Sequence, residues 1–143
     1  MKIAVSSCLL GINCKYNGQS NYNEEIIKLK EKYEIIPICP EVLGGLPTPR
    51  IPSEIVEDKV INQQCIDVTV NYKQGALKAL NILKENNITI AILKSKSPSC
   101  GINKVYDGTF SHTLIEGHGV TTKLFLENNI TVYDENNFKD LLK

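Results

Sequence analysis

Residues 2–11 read KIAVSSCLLG, and this stretch decides the fold class. Lys2 to Ser6 is a short apolar run without polar alternation, the pattern of a strand buried on both faces. Such strands belong to parallel sheets covered by helices. The pattern recurs in EIIPICP (Glu34 to Pro40), which Pro40 and then Gly44-Gly45 close, and in ITIAILK (Ile88 to Lys94), rich in β-branched residues. Ile130 to Tyr133 reads as a fourth strand.

Helical patterns fall between these runs. One starts near Asn21, with Glu24 completing a capping box, and continues to about Lys32. A second spans Thr69 to Asn86, with Ala76, Leu77, Leu80 and Leu83 on one face despite Gly75. A third spans Gly119 to Asn128, and a terminal one spans Asn137 to Leu142. Pro47, Pro49 and Pro52 forbid a helix in the irregular stretch from Leu46 to Val68, where SEIVE and KVI predict a hairpin across Asp58. Asp107-Gly108 predicts a type I′ hairpin between Lys104–Tyr106 and Thr109–Ser111. The alternation predicts an α/β fold, a single-domain Rossmann-like parallel sheet flanked by helices over residues 1–143, with a small β-hairpin insertion.

Composition narrows the function classes. At 143 residues the chain has room for one core, and 42% hydrophobic with 22% charged residues is an ordinary globular balance. Sixteen basic residues against sixteen acidic ones leave no net charge, which argues against tRNA or an anionic membrane as a partner. No apolar run approaches a membrane-spanning length, and the N-terminus reads as a strand, not a signal peptide. The expectation is a cytoplasmic protein acting on a small molecule.

Five cysteines, at positions 8, 14, 39, 65 and 100, are an odd number at irregular spacing, unlike a secreted disulfide framework. Cys8 lies just past the first predicted strand, Cys39 ends the second, and Cys100 follows the third. In open α/β sheets, ligands bind outside the carboxyl ends of the strands. The three cysteines, 31 and 61 positions apart, therefore point to one rim. Each stands among residues that offer N–H and O–H donors to a thiolate: Ser6-Ser7-Cys8, Cys39-Pro40-Glu41 and Ser97-Pro98-Ser99-Cys100-Gly101. Three thiolates can hold Zn²⁺ with an open position, or three irons of a [4Fe–4S] cluster with the fourth open. The absence of a histidine beside any of them favours iron–sulfur. Cys14 reads as a loop thiol without an assigned role and Cys65 as structural. His112 and His118 have no assigned role either.

The segments SSCLLGINCKYNG, CPEVLGGLPTPR and SKSPSCG, in this order and spacing, resemble the 2-thiouracil desulfidase family, and the match extends over essentially the whole chain. The resemblance implies a cytoplasmic enzyme that removes sulfur from thiouracil-type bases with a [4Fe–4S] cluster held by three cysteines. Carried over residue by residue, it places the ligands at Cys8, Cys39 and Cys100, with Glu41 and Ser97 acting on substrate.

The reaction expected on this basis is a non-redox desulfuration. The thiocarbonyl sulfur binds the open iron and leaves as sulfide, giving the oxo base. Glu41 carries protons, and Ser97 orients water or the base. The substrate is a thiolated base or nucleoside, and the oligomeric state is left as monomer or dimer. The alternatives are an iron–sulfur sulfur carrier, or a metal-dependent hydrolase or lyase of another thiolated metabolite. Arg50 is expected to pin its loop and Lys94 and Lys96 to be solvated, while Ser6 and Ser7 either donate to cluster sulfur or satisfy a backbone turn. A weak anion site is expected at Gly117-His118-Gly119.

Overall fold

The computed structural model describes residues 1–142. The chain begins with β1 (Lys2–Ser6), followed by the short helix α1 (Glu24–Ile27) and β2 (Glu34–Ile38). Helix α2 (Pro40–Leu43) comes next, then a hairpin of β3 (Ser53–Val56) and β4 (Lys59–Asn62). The long helix α3 (Thr69–Glu85) leads into β5 (Ile90–Leu93). A second hairpin, β6 (Lys104–Tyr106) with β7 (Leu114–Glu116), precedes α4 (Val120–Glu127) and β8 (Thr131–Asp134). The last described element is a 3₁₀ turn, Phe138–Leu142.

Strands β1, β2, β5 and β8 form the predicted parallel sheet, in the order β2-β1-β5-β8. The register runs from Lys2 opposite Glu34 to Ser6 opposite Ile38, and from Ile90 opposite Thr131 to Leu93 opposite Asp134. The chain moves outward from β1 to β2 and then crosses back to β5 on the other side of β1. The switch point thus lies between the carboxyl ends of β1 and β5, where a crevice opens.

Alternation along the strands sorts the core into two layers. Ala4, Ala91, Leu93 and Val132 face Ala79, Leu80 and Leu83 of α3 and Phe125 of α4. Ile3, Val5 and Ile92 face Ile26, Leu29 and Phe138 on the opposite side. Among the described residues no helix is long and apolar enough to cross a membrane.

The local expectations differ from the structure at five places. The first helix, expected to run to about Lys32, is α-helical only over Glu24–Ile27 and continues as a 3₁₀ turn, Lys28–Glu31, and the terminal helix is a 3₁₀ turn, Phe138–Leu142. Asn23, not Asn21, caps α1, its side chain accepting from the Ile26 N–H at 3.2 Å. EIIPICP is not a strand to its end: β2 stops at Ile38 and Pro40 opens α2, where its fixed φ and missing N–H suit the first helical turn. The hairpin at Asp107-Gly108 is not a two-residue turn, because β6 pairs with β7 and the whole of residues 107–113 is loop. Glu54 takes that loop away from the turn geometry: its Oε1 accepts from the Gly108 N–H at 3.0 Å and the Phe110 N–H at 3.2 Å.

Candidate active site

Three chain segments carry the predicted cysteines to the crevice. Cys8 follows β1 in a 3₁₀ turn that ends at Gly11, whose φ of +93° suits glycine. Cys39 occupies the N-cap of α2. Cys100 lies in the loop after β5, with its thiol buried.

Close helix packing places Cys39. Helices α2 and α3 touch backbone to backbone at Gly44 and Gly75. A Cβ on Gly75 would lie 1.9 Å from the Pro40 carbonyl oxygen, and one on Gly44 would lie 2.0 Å from that of Asn71. Gly75, an anomaly in a helical pattern, is what lets the Cys39-Pro40-Glu41 segment sit so deep.

The N-terminus of α4 places Cys100. The Gly119 N–H donates to the Gly101 carbonyl, Val120 to Pro98, and Thr121 and Thr122 to Ser99. These donors are the ones a helix leaves unpaired at its start. They hold the cysteine loop, so the expected anion site at Gly117-His118-Gly119 is not present. Thr122 Oγ1 also donates to the Cys100 carbonyl at 2.8 Å.

One cavity of about 510 Å³ collects the site. Its walls include Cys8, Cys39, Cys100, Glu41 and Ser97, all five of the predicted site residues. Cys14 is there as well. It lines the same wall as Cys8 and Cys39, and the three thiols influence one another's acidity. Sequence reading left Cys14 unassigned because the loop that returns it to the rim, residues 11–21, has no regular pattern. Its signal was chemical only, a cysteine six positions after another. Cys65, in contrast, is exposed on a turn with φ +65° and stands apart from the cavity.

The thiols differ in acidity for physical reasons. The Cys14 thiol lowers Cys8 to about 7 against the opposing effect of burial, with the Asn21 amide helping at 3.4 Å. The same thiol lowers Cys39 to about 7, again against burial, aided by the Val42 N–H. Cys14 itself is pushed up by Cys39 and Cys8. Burial and then the Glu41 charge push the Cys100 thiol up. Ser6 Oγ donates to Cys100 Sγ at 3.7 Å and accepts from the Lys94 N–H at 3.0 Å.

Glu41 is held from three sides. Its Oε2 accepts from Arg50 Nε at 2.9 Å and from the Tyr72 hydroxyl at 3.2 Å, and its Oε1 accepts from Ser97 Oγ at 3.4 Å. Burial, then the Glu41 charge, raises the Tyr72 phenol, so it stays a donor. Arg50 does pin its loop, through Pro47 and Thr48, but it also grips the Cys14 carbonyl with Nη2 at 2.9 Å. Lys94 is not free in solvent, since it pairs with Glu135 at 2.8 Å. Lys96 is exposed at the rim, and His112 packs edge-on against Tyr106 there. His118 lies away from the cavity, its Nδ1 accepting from the Asn103 N–H at 3.0 Å.

The family model for 2-thiouracil desulfurase matches residues 3–137. The chain belongs to this family. YbbK of Bacillus subtilis (strain 168), an uncharacterized protein, is 44% identical over 150 aligned positions, spanning 98% of this chain and 99% of YbbK. The solved structure of TudS, a [4Fe-4S]-dependent thiouracil desulfidase, superposes with a TM-score of 0.93 at 38% identity, covering 99% of this chain and 95% of TudS. As a member of the 2-thiouracil desulfurase family, the chain is an enzyme.

The donor set fits an iron–sulfur group. Soft thiols dominate, and hydroxyl and amide donors from Ser6 and Asn21 face their sulfurs. Among the described residues no three His, Cys, Asp or Glu side chains converge on one point as ligands of a single ion do. The thiols instead line a cavity with room for a larger group.

Proposed function

We propose that this enzyme removes sulfur from a small thiolated pyrimidine-type base, using a [4Fe–4S] cluster held by Cys8, Cys39 and Cys100. The observation that carries the reading is the meeting of these three thiols, from the ends of β1 and β2 and the loop after β5, on the wall of one cavity with Glu41. When bound, a cluster with three cysteine ligands supplies an iron with Lewis acidity toward a soft sulfur atom.

The overall change is hydrolytic: thiocarbonyl plus water gives carbonyl plus hydrogen sulfide, with no net electron transfer. Water must lose two protons and the departing sulfur must gain them. Glu41 is the group that can move them. Arg50 and Tyr72 fix its Oε2, which leaves Oε1 as the face toward the cavity. The only protein partner of Oε1 among the described residues is the long contact from Ser97. Arg50, nearly buried, keeps the carboxylate oriented between turnovers.

Ser97 holds the architecture in place. Its Oγ accepts from the N–H groups of Ser99 at 3.0 Å and Cys100 at 3.1 Å while donating to Glu41. It therefore sets the Cys100 loop against the carboxylate, and it reaches a substrate only by releasing one of these bonds. The neutral overall charge of the chain suits a free base or nucleoside as substrate.

The test is anaerobic reconstitution with iron and sulfide, followed by iron determination and a 2-thiouracil assay on the same sample. Bound iron with stoichiometric conversion to uracil and sulfide is the expected result. Iron-free protein after reconstitution overturns the cofactor assignment. Iron-loaded protein that leaves 2-thiouracil and thiolated uridines unchanged overturns the reaction.

A further inference from the structure

We propose that the loop of residues 107–113 presents Phe110 as the stacking face for the substrate's ring, so that the site selects planar thiolated heterocycles over open-chain thioamides. The inference deepens the functional reading above and rests on it.

Three observations carry it. The cavity that collects the thiols is also walled by the second hairpin, through Tyr106, Phe110 and His112. Phe110 is the one all-carbon ring on that wall among the described residues. Tyr106 and His112 pack edge-on with centroids 6.1 Å apart, whereas Phe110 has no ring partner among the described residues. Its backbone, finally, is held in an unusual state. The φ of Phe110 is +57°, in the left-handed region that bulky residues rarely adopt. Glu54 on β3, only 8% exposed, accepts from the Gly108 N–H at 3.0 Å and the Phe110 N–H at 3.2 Å. No cation pairs with this carboxylate among the described residues. Gly108 seats the loop on β3 so closely that a Cβ there would lie 2.8 Å from the Ile55 carbonyl oxygen. Backbone states of this kind persist where their surroundings over-determine them, and they gather at ligand clamps.

The chemistry is that of a flat ring. A pyrimidine thione carries its nitrogen, oxygen and sulfur atoms on its edge, and its two faces offer only π-density. An aromatic side chain covers such a face without competing for the edge atoms. An open-chain thioamide presents the same thiocarbonyl but no ring face, so it gains nothing from Phe110. The ring face is unchanged as the thiocarbonyl carbon reacts. Stacking therefore binds ground state and transition state alike, and it acts on KM rather than kcat.

The test uses the anaerobically iron-loaded full chain as wild type, Phe110→Leu, Phe110→Tyr and Phe110→Trp, with 2-thiouracil as substrate. Leucine keeps apolar bulk and the same left-handed backbone cost but has no flat face. Phe110→Leu is expected to raise KM roughly tenfold with kcat unchanged, and Phe110→Tyr to keep the wild-type KM. The chain has no tryptophan, so Phe110→Trp carries the sole indole. Saturable quenching of its fluorescence by 2-thiouracil and by uracil is expected, which reads stacking without turnover. A wild-type KM in Phe110→Leu, or a KM raised equally in Phe110→Leu and Phe110→Tyr, overturns the stacking role and leaves the desulfidation reading intact. Iron-loaded wild type that leaves 2-thiouracil unchanged, with Phe110→Trp still quenched, overturns the reaction and keeps the stacking face. Neither conversion nor quenching overturns both.

Discussion

The Ser97 hydroxyl donates to Glu41 Oε1 across 3.4 Å, joining residues 56 positions apart in the chain. The same oxygen accepts from the backbone N–H groups of Ser99 and Cys100. A hydroxyl has one proton and two lone pairs, and all are in use. The pair therefore couples a carboxylate on α2 to the cysteine loop after β5, and the two residues should fail in different ways when altered.

Glu41→Gln preserves volume and one acceptor but cannot carry a proton. It is expected to lower kcat by roughly 10²–10⁴-fold while iron per chain stays at the wild-type level. Parallel loss of iron would show that Glu41 builds the cofactor site instead.

Ser97→Ala removes the acceptor for two N–H groups and should destabilise the loop by about 1–3 kcal/mol. Iron content and the denaturation midpoint are expected to fall together with activity. A variant with full iron, unchanged stability and lost activity would instead make Ser97 a catalytic residue.

Gly75→Ala separates helix propensity from packing. In an isolated helix the change would stabilise by about 1 kcal/mol. Here the new methyl meets the Pro40 carbonyl, and overpacking of this kind costs about 1–3 kcal/mol or more. Urea unfolding should show net destabilisation, and reduced iron uptake should follow from displacement of Cys39.

Glu135 gives a pH-dependent signature. Burial works to raise its carboxyl, but the Lys94 ammonium and the Ser95 N–H outweigh it, so its folded pKa lies below the ordinary value of 4.5. Its contribution to stability is complete above 4.5 and is lost as pH falls through the lower folded value. The stability gap between wild type and Glu135→Gln should be constant near neutrality and close in acid. A gap independent of pH down to the acid transition would exclude this linkage.

Cys65→Ser is the internal control among the cysteines. The residue is exposed, so stability should stay within about 0.5 kcal/mol of wild type and iron content should not change. Iron loss in this variant would place a ligand outside the cavity.

Local pattern carried most of the fold. Apolar runs such as Lys2–Ser6 must be covered on both faces, and that requirement alone implies a parallel sheet with helices on each side. Strand-end position and donor-rich neighbours also singled out Cys8, Cys39 and Cys100, and motif resemblance added Glu41 and Ser97. Pro40 misled as a strand terminator because proline suits a helix start equally well. Asp107-Gly108 misled because a long-range bond from Glu54, 54 positions away from Gly108, outweighs a local turn preference.

The sequence by itself determined the layer architecture and the residue types brought to the rim, since both follow from burial and short-range chemistry. Only the tertiary structure decided that Cys14 joins the other thiols, that Arg50 links it to Glu41, and that Gly75 admits α2 so closely. These are contacts between segments distant in the chain or joined by irregular loops. No periodicity encodes them, and they exist only once the sheet has fixed where each segment ends.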